Sequence, residues 1–118
     1  MFKRCLCAVA IALALSACAS DPAPTEQLRL SDQAVSQAKA LGIDSEQLSN
    51  LKLAEEKQAA AQLAMQDGAF KQARILSEQA ELDARLAQAQ FLTQKSQEQL
   101  DALTLRIDRL RKQLGDLP

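Results

Sequence analysis

Residues 69–115 read "AFKQARILSEQAELDARLAQAQFLTQKSQEQLDALTLRIDRLRKQLG", and they meet neither proline nor glycine before Gly115. Ala, Gln, Leu, Glu, Lys and Arg fill the run, and all are good helix formers. The spacing predicts one helix over about 69–114, roughly 69 Å long at 1.5 Å per residue. Such a helix is too long for any partner within a chain of 118 residues to cover from end to end. Its far half carries Leu100, Leu103, Ile107, Leu110, Leu114 and Leu117, spaced 3, 4, 3, 4, 3. That spacing is a coiled-coil seam, underwound to 3.5 residues per turn. Carried backwards, the same frame reads Ser96, Thr93, Ala89, Leu86 and Leu82. Three partners for the seam follow: another copy of the chain, the short first helix of the same chain, or a different protein.

Upstream of this run, Asp67-Gly68 marks a tight reversal, and a second helix is expected over about 45–66. Asp44 with Gln47 has capping-box spacing, and Ile43 is placed to staple onto Leu48. The buried side of that helix is expected at Leu48, Leu51, Ala54, Ala61 and Met65, interrupted by Gln58. It is about 33 Å long. It can therefore lie antiparallel on the first half of the long helix, where Ala73, Ala80, Ala84 and Ala87 let two backbones come close. A first helix over about 28–41, with Ala34, Val35, Ala38 and Leu41 as its apolar stripe, ends at Gly42 as a left-handed C-cap. The fold class is all-α: a helical hairpin with a short preceding helix and a long C-terminal coiled-coil-like helix, together residues 26–118.

The amino terminus is of another kind. "MFKRCLCAVAIALALSAC" opens on Lys3 and Arg4, runs through ten uncharged residues from Leu6 to Leu15, and stops at Cys18. Ten residues cannot span a bilayer core of about 30 Å, which needs roughly 20, so residues 1–17 read as an export signal. Leu15-Ser16-Ala17-Cys18 resembles the bacterial lipobox. That resemblance implies cleavage between Ala17 and Cys18, with a diacylglycerol thioether and an N-acyl chain on Cys18. Each buried methylene is worth about 0.8 kcal/mol, so three chains make a durable anchor where one binds reversibly. Residues 18–25 are the lipidated cysteine and a flexible tether, with Pro22 and Pro24 among small polar residues. Ala19 stands where an Asp commonly retains lipoproteins in the inner membrane of Gram-negative bacteria, so the expected address is the outer membrane, facing the periplasm.

The signal would remove Lys3 and Arg4 and no acidic residue, taking the net charge from −1 to −3. No basic footprint for nucleic acid remains, and Trp and Tyr are absent from the whole chain. His is absent as well, which excludes His-dependent nucleophilic chemistry and His-ligated metal sites. Cys5 and Cys7 leave with the signal and Cys18 is taken by lipid, so no cysteine metal site is expected and no cofactor beyond the covalent lipid. Glu55-Glu56, Glu78 with Glu81, and Asp101 are the remaining acid–base candidates, set among Gln and Lys as on solvated faces. The expectation is a protein that is not an enzyme and has no small-molecule substrate. Asp108 with Lys112 and Glu81 with Arg85 are expected as ion pairs four residues apart.

The stretch from Ala54 to Ala89, with its A-E-x-K opening at Ala54, Glu55 and Lys57, its Gly68-x-Phe70-x-x-Ala73 turn and its Asp83-Ala84, resembles domain-of-unknown-function family 4398. The resemblance implies an Ala-rich helical periplasmic lipoprotein. Gly68, Phe70, Ala73 and Ala80 also stand at the spacing of one tetratricopeptide-like helix pair, with Lys57 where a large aromatic belongs. Braun-type lipoproteins, which resemble this chain in the lipidated cysteine and heptad helix, end on a lysine joined to the cell wall. Here the last lysine is Lys112, so covalent wall attachment is not expected. The partners implied are a membrane, reached through the lipid, and either a second copy of the chain or another envelope protein.

Overall fold

The computed structural model describes residues 21–44 and 48–116. Cys18 and Ala17, Gln47 of the expected capping box, and Leu117 of the seam lie outside these residues. Three helices and no strand are found among the described residues: α1 Thr25–Ala40, α2 Ser49–Gln66 and α3 Phe70–Gly115. α3, with 46 residues, is about 69 Å long. It is the spine of the molecule, because α1 and α2 both pack chiefly on it and touch each other less.

Both turns are Schellman motifs, in which a left-handed residue lets two amides reach back to the last helical carbonyls. After α1, Gly42 has φ 78°, and the amides of Gly42 and Ile43 donate to the carbonyls of Lys39 and Ala38. After α2, Gly68 has φ 73°, and the amides of Gly68 and Ala69 donate to Met65 and Ala64. α2 begins at Ser49 with Leu48 as an extended N-cap and no side-chain cap, later than the expected Ser45. Ile43 is buried in the core and Leu48 packs against it, so these two apolar side chains pin both ends of the link.

Cross-helix bonds give the directions. Asn50 Nδ2 donates to Gln90 Oε1 at 2.8 Å and Lys57 pairs with Asp83, so α2 runs antiparallel to α3. Asp21 lies 3.6 Å from Arg74, while Gln88 Nε2 donates to the Ala34 carbonyl at 2.9 Å. α1 therefore runs parallel to α3 and starts beside its amino end. The expected tether is shorter than its composition suggests, because Pro24 is already buried and Asp21 is held by Arg74. The chain reaches α3 there because Thr25 opens a helix that must lie on it.

The core is built from small residues. On α3, Ala73, Ser77, Ala80, Ala84 and Ala87 are fully buried, and they face Leu51, Ala54 and Ala61 of α2 and Ser31, Ala34, Val35 and Ala38 of α1. Leu48 and Met65 are half-buried, while Leu41 is exposed at the end of α1. The two buried hydroxyls are satisfied inside their own helices: Ser77 donates to Ala73 and Ser31 to Leu28. Gln58, which interrupts the apolar side of α2, donates to Asp32 of α1 at 2.8 Å.

Candidate interaction surface

The buried positions of α3 run 73, 77, 80, 84, 87, and Phe91, half-buried, packs against the same core. That is a heptad frame of its own. The leucine frame is offset from it by two residues, as Leu82 from Ala80 and Leu86 from Ala84, which is about 200° around a helix of 3.6 residues per turn. α3 thus carries two seams on opposite faces. The inner one is filled by α1 and α2, and the outer one is covered by nothing among the described residues.

Leu100, Leu103, Ile107, Leu110 and Leu114 all lie on the outer face, with exposures from 47% at Ile107 to 67% at Leu114. Every described residue beyond Phe91 is exposed. α1 does not fold back onto the seam, because it runs alongside the first half of α3 instead. The same face continues through Leu86 and Leu82 to Ile75, all exposed. Ile75 is the member that the sequence reading passed over, although it stands one heptad before Leu82.

Around the tip the charges are mostly basic: Arg106, Arg109, Arg111 and Lys112 against Asp108 and Asp116. Asp108 pairs with Arg111 at 3.8 Å rather than with the expected Lys112, whereas Glu81 and Arg85 form their expected pair at 2.6 Å. Glu98 accepts from Lys95 at 2.9 Å and from Gln94 at 3.2 Å. These bonds, that from Lys95 above all, hold its carboxyl below the ordinary value.

The carboxylates singled out in the sequence are dispersed. Glu55 is paired with Lys39 at 2.7 Å, Glu81 with Arg85, and Asp101 accepts from Gln97 at 3.0 Å. One open concavity of about 400 Å³ lies where the link before α2 meets α3, lined by Ile43, Asp44, Leu48, Phe91, Gln94 and Lys95. The Lys95 ammonium sits 5.7 Å from the Phe91 ring centroid, which is a cation–π contact. Among the described residues no cluster of three His, Cys, Asp or Glu is placed to hold a metal ion. No described helix is long and apolar enough to cross a membrane.

A crystal structure of a DUF4398 family protein from Pseudomonas aeruginosa PAO1 matches the chain with 57% identity and a TM-score of 0.77, covering 80% of this chain and 98% of that one. Comparison with curated proteins finds no match. The family model for a domain of unknown function, DUF4398, matches residues 26–103, which take in the three-helix body and the beginning of the bare rod. With most of the described residues inside that match, and a solved structure of the family at 57% identity, this chain belongs to the DUF4398 family.

Proposed function

We propose that the chain is an outer-membrane lipoprotein facing the periplasm, with a structural role, and that it self-associates through the outer face of α3. The observation that carries the reading is the exposed stripe from Leu100 to Leu114. Five large apolar side chains in a heptad frame on one bare helix are what a coiled-coil partner covers. Burying a leucine or isoleucine side chain is worth roughly 1.5–3 kcal/mol, so the stripe holds enough apolar surface to drive association.

The anchor reading rests on Leu15-Ser16-Ala17-Cys18 behind a basic start and a short apolar run. The pairing of Asp21 with Arg74 fits it, since the chain enters the fold at the end of α3 away from the stripe. A lipid on Cys18 would then hold one end of the rod at the membrane, with Leu100 to Leu114 roughly 45–66 Å further along α3. The mechanism is positional: the lipid fixes one end of α3, and the rod carries an adhesive face along its length away from that end.

Sedimentation of residues 19–118, which hold every described helix, tests the self-association. A concentration-dependent oligomer is expected, reduced to monomer by Leu103→Asp with Leu110→Asp. A well-folded monomer at every concentration would overturn it and assign the stripe to another envelope protein.

A further inference from the structure

We infer that the occupant of the outer face is a second copy running antiparallel, its rod laid along the back of this copy's three-helix body; this deepens the self-association reading and rests on it. The argument is one of register. With Leu100, Ile107 and Leu114 at heptad position a, and Leu103 and Leu110 at d, the flanking e and g positions carry few charges. On α3 the acidic ones are Glu78 at g and Asp83 at e, and the basic ones are Lys71, Arg85 and Arg106 at g and Arg111 at e.

In a parallel, in-register pair each g residue meets the e residue five places later on the other helix. Glu78 then faces Asp83, and Arg106 faces Arg111, each twice by symmetry. Every charged pair in that arrangement is of like sign. It also stacks Ala89 on Ala89, Thr93 on Thr93 and Ser96 on Ser96, three thin layers in succession.

An antiparallel pair centred near residue 98 reverses both features. Leu100, Leu103 and Ile107 of one copy fall opposite Ser96, Thr93 and Ala89 of the other, large against small, as interdigitating layers require. Leu110 and Leu114 fall opposite Leu86 and Leu82. Flanking positions now meet e to e and g to g, which sets Arg111 opposite Asp83, whose Oδ2 is taken by Lys57 and whose Oδ1 is left to accept, and pairs no two like charges of α3. A shift of one heptad that lengthens the overlap sets Arg85 against Arg106. A shift the other way loses the Asp83–Arg111 opposition.

The body leaves room for this. α1 and α2 hold the inner seam of α3, and Ile75, Leu82 and Leu86 are exposed on the opposite face. The overlap runs from about residue 82 to 114 on each copy, roughly 50 Å of helix. It places the two bodies, and with them the two entry points of the chain beside Arg74, at opposite ends of a common rod about 72 Å apart.

Two measurements on residues 19–118, a segment without cysteine, test the orientation. The matched crystal structure of the family covers 80% of this chain, so a domain of this extent folds by itself. Leu86→Cys and Leu110→Cys chains, both substituted at exposed positions, are mixed and oxidised, and the disulfide-linked peptides are mapped. Antiparallel packing links the Leu86→Cys chain to the Leu110→Cys chain; parallel packing links each to its own kind. Arg111→Glu supplies the second readout: it sets an acid against Asp83 and should weaken the antiparallel dimer about three- to tenfold, whereas in a parallel pair it would face Arg106 and tighten it. Self-links, or tighter association of Arg111→Glu, would overturn the antiparallel register while leaving self-association standing. A dimer by sedimentation with neither link would also overturn the register. A chain that sediments as monomer throughout overturns both readings together.

Discussion

The two halves of α3 are the same kind of helix put to opposite uses. From Phe70 to Phe91 the face toward the core is alanine and serine, and it is fully covered by α1 and α2. From Leu92 to Gly115 the large apolar residues are leucine and isoleucine, and none of them is covered. Small side chains let three helices approach closely but remove little apolar surface each, about 0.8 kcal/mol per methylene-sized group. Large ones offer much more surface and need a partner to realise it. The chain therefore folds through close backbone packing in one half and leaves its large apolar side chains uncovered in the other.

The sharpest way to break that contrast is to exchange the side chains. Ala84 is fully buried where α3 meets the core cluster, and Ala84→Leu forces three extra carbons into a gap with no room. Overpacking of this kind costs about 1–3 kcal/mol, read as a lowered urea midpoint of the monomer. Leu103→Asp, on the bare half, should change monomer stability by less than about 0.5 kcal/mol while removing association. If the two variants destabilised the monomer equally, the distal half would be packed in solution and the contrast would fail.

Next in size is the turn that makes the hairpin. An added Cβ at Gly68 meets nothing within 4 Å, yet its φ is +73°. Gly68→Ala therefore meets conformational strain alone, about 1–2 kcal/mol, and the loss should appear in urea unfolding of the body. Gly115 also has open space around a Cβ but no positive φ. There Gly115→Ala should leave the body unchanged and firm the end of the rod by up to about 1 kcal/mol of helix propensity. Equal losses at both sites would mean that the left-handed φ of Gly68 does not govern the loss.

The sequence made the fold legible where one residue type has one physical consequence. Glycines at 42 and 68 ended helices, the unbroken run after Gly68 announced the long one, and Ala73, Ala80, Ala84 and Ala87 marked the close-packed face. It was less informative where alternatives differ only in three dimensions. Capping-box spacing at Asp44 and Gln47 suggested a helix from Ser45, but α2 is described from Ser49, behind a link whose Ile43 and Leu48 are held by the core. Pro22 and Pro24 suggested a free tether as far as residue 25, yet Pro24 is buried, because burial against α3 depends on where α1 lands. The seam itself was visible from Leu100 to Leu117. That it lies on the face opposite the alanines, and continues to Ile75, follows only when the inner frame is fixed by α1 and α2.

The smallest expected effect separates the halves by pH. Glu98 lies on the bare rod, and its carboxyl is held below its ordinary value by the hydrogen bond from Lys95, then by that from Gln94. A carboxyl lowered in the folded state stabilises that state fully above its unfolded value and loses the contribution as pH falls through the lowered folded one. Both groups are exposed, so the effect is small and weakened by salt. Helix content followed by circular dichroism, in low salt and at concentrations where the chain is monomeric, should decline slightly in that acid range, and Glu98→Gln should remove this part of the decline. Glu26 provides the counterpart on the body, lowered by its bonds from Arg29 at the start of a helix that α3 already holds. Glu26→Gln should therefore alter rod helicity less than Glu98→Gln does. An equal or larger effect from Glu26→Gln would mean that the rod does not melt independently of the body, and the division of α3 into a packed half and a free half would have to be given up.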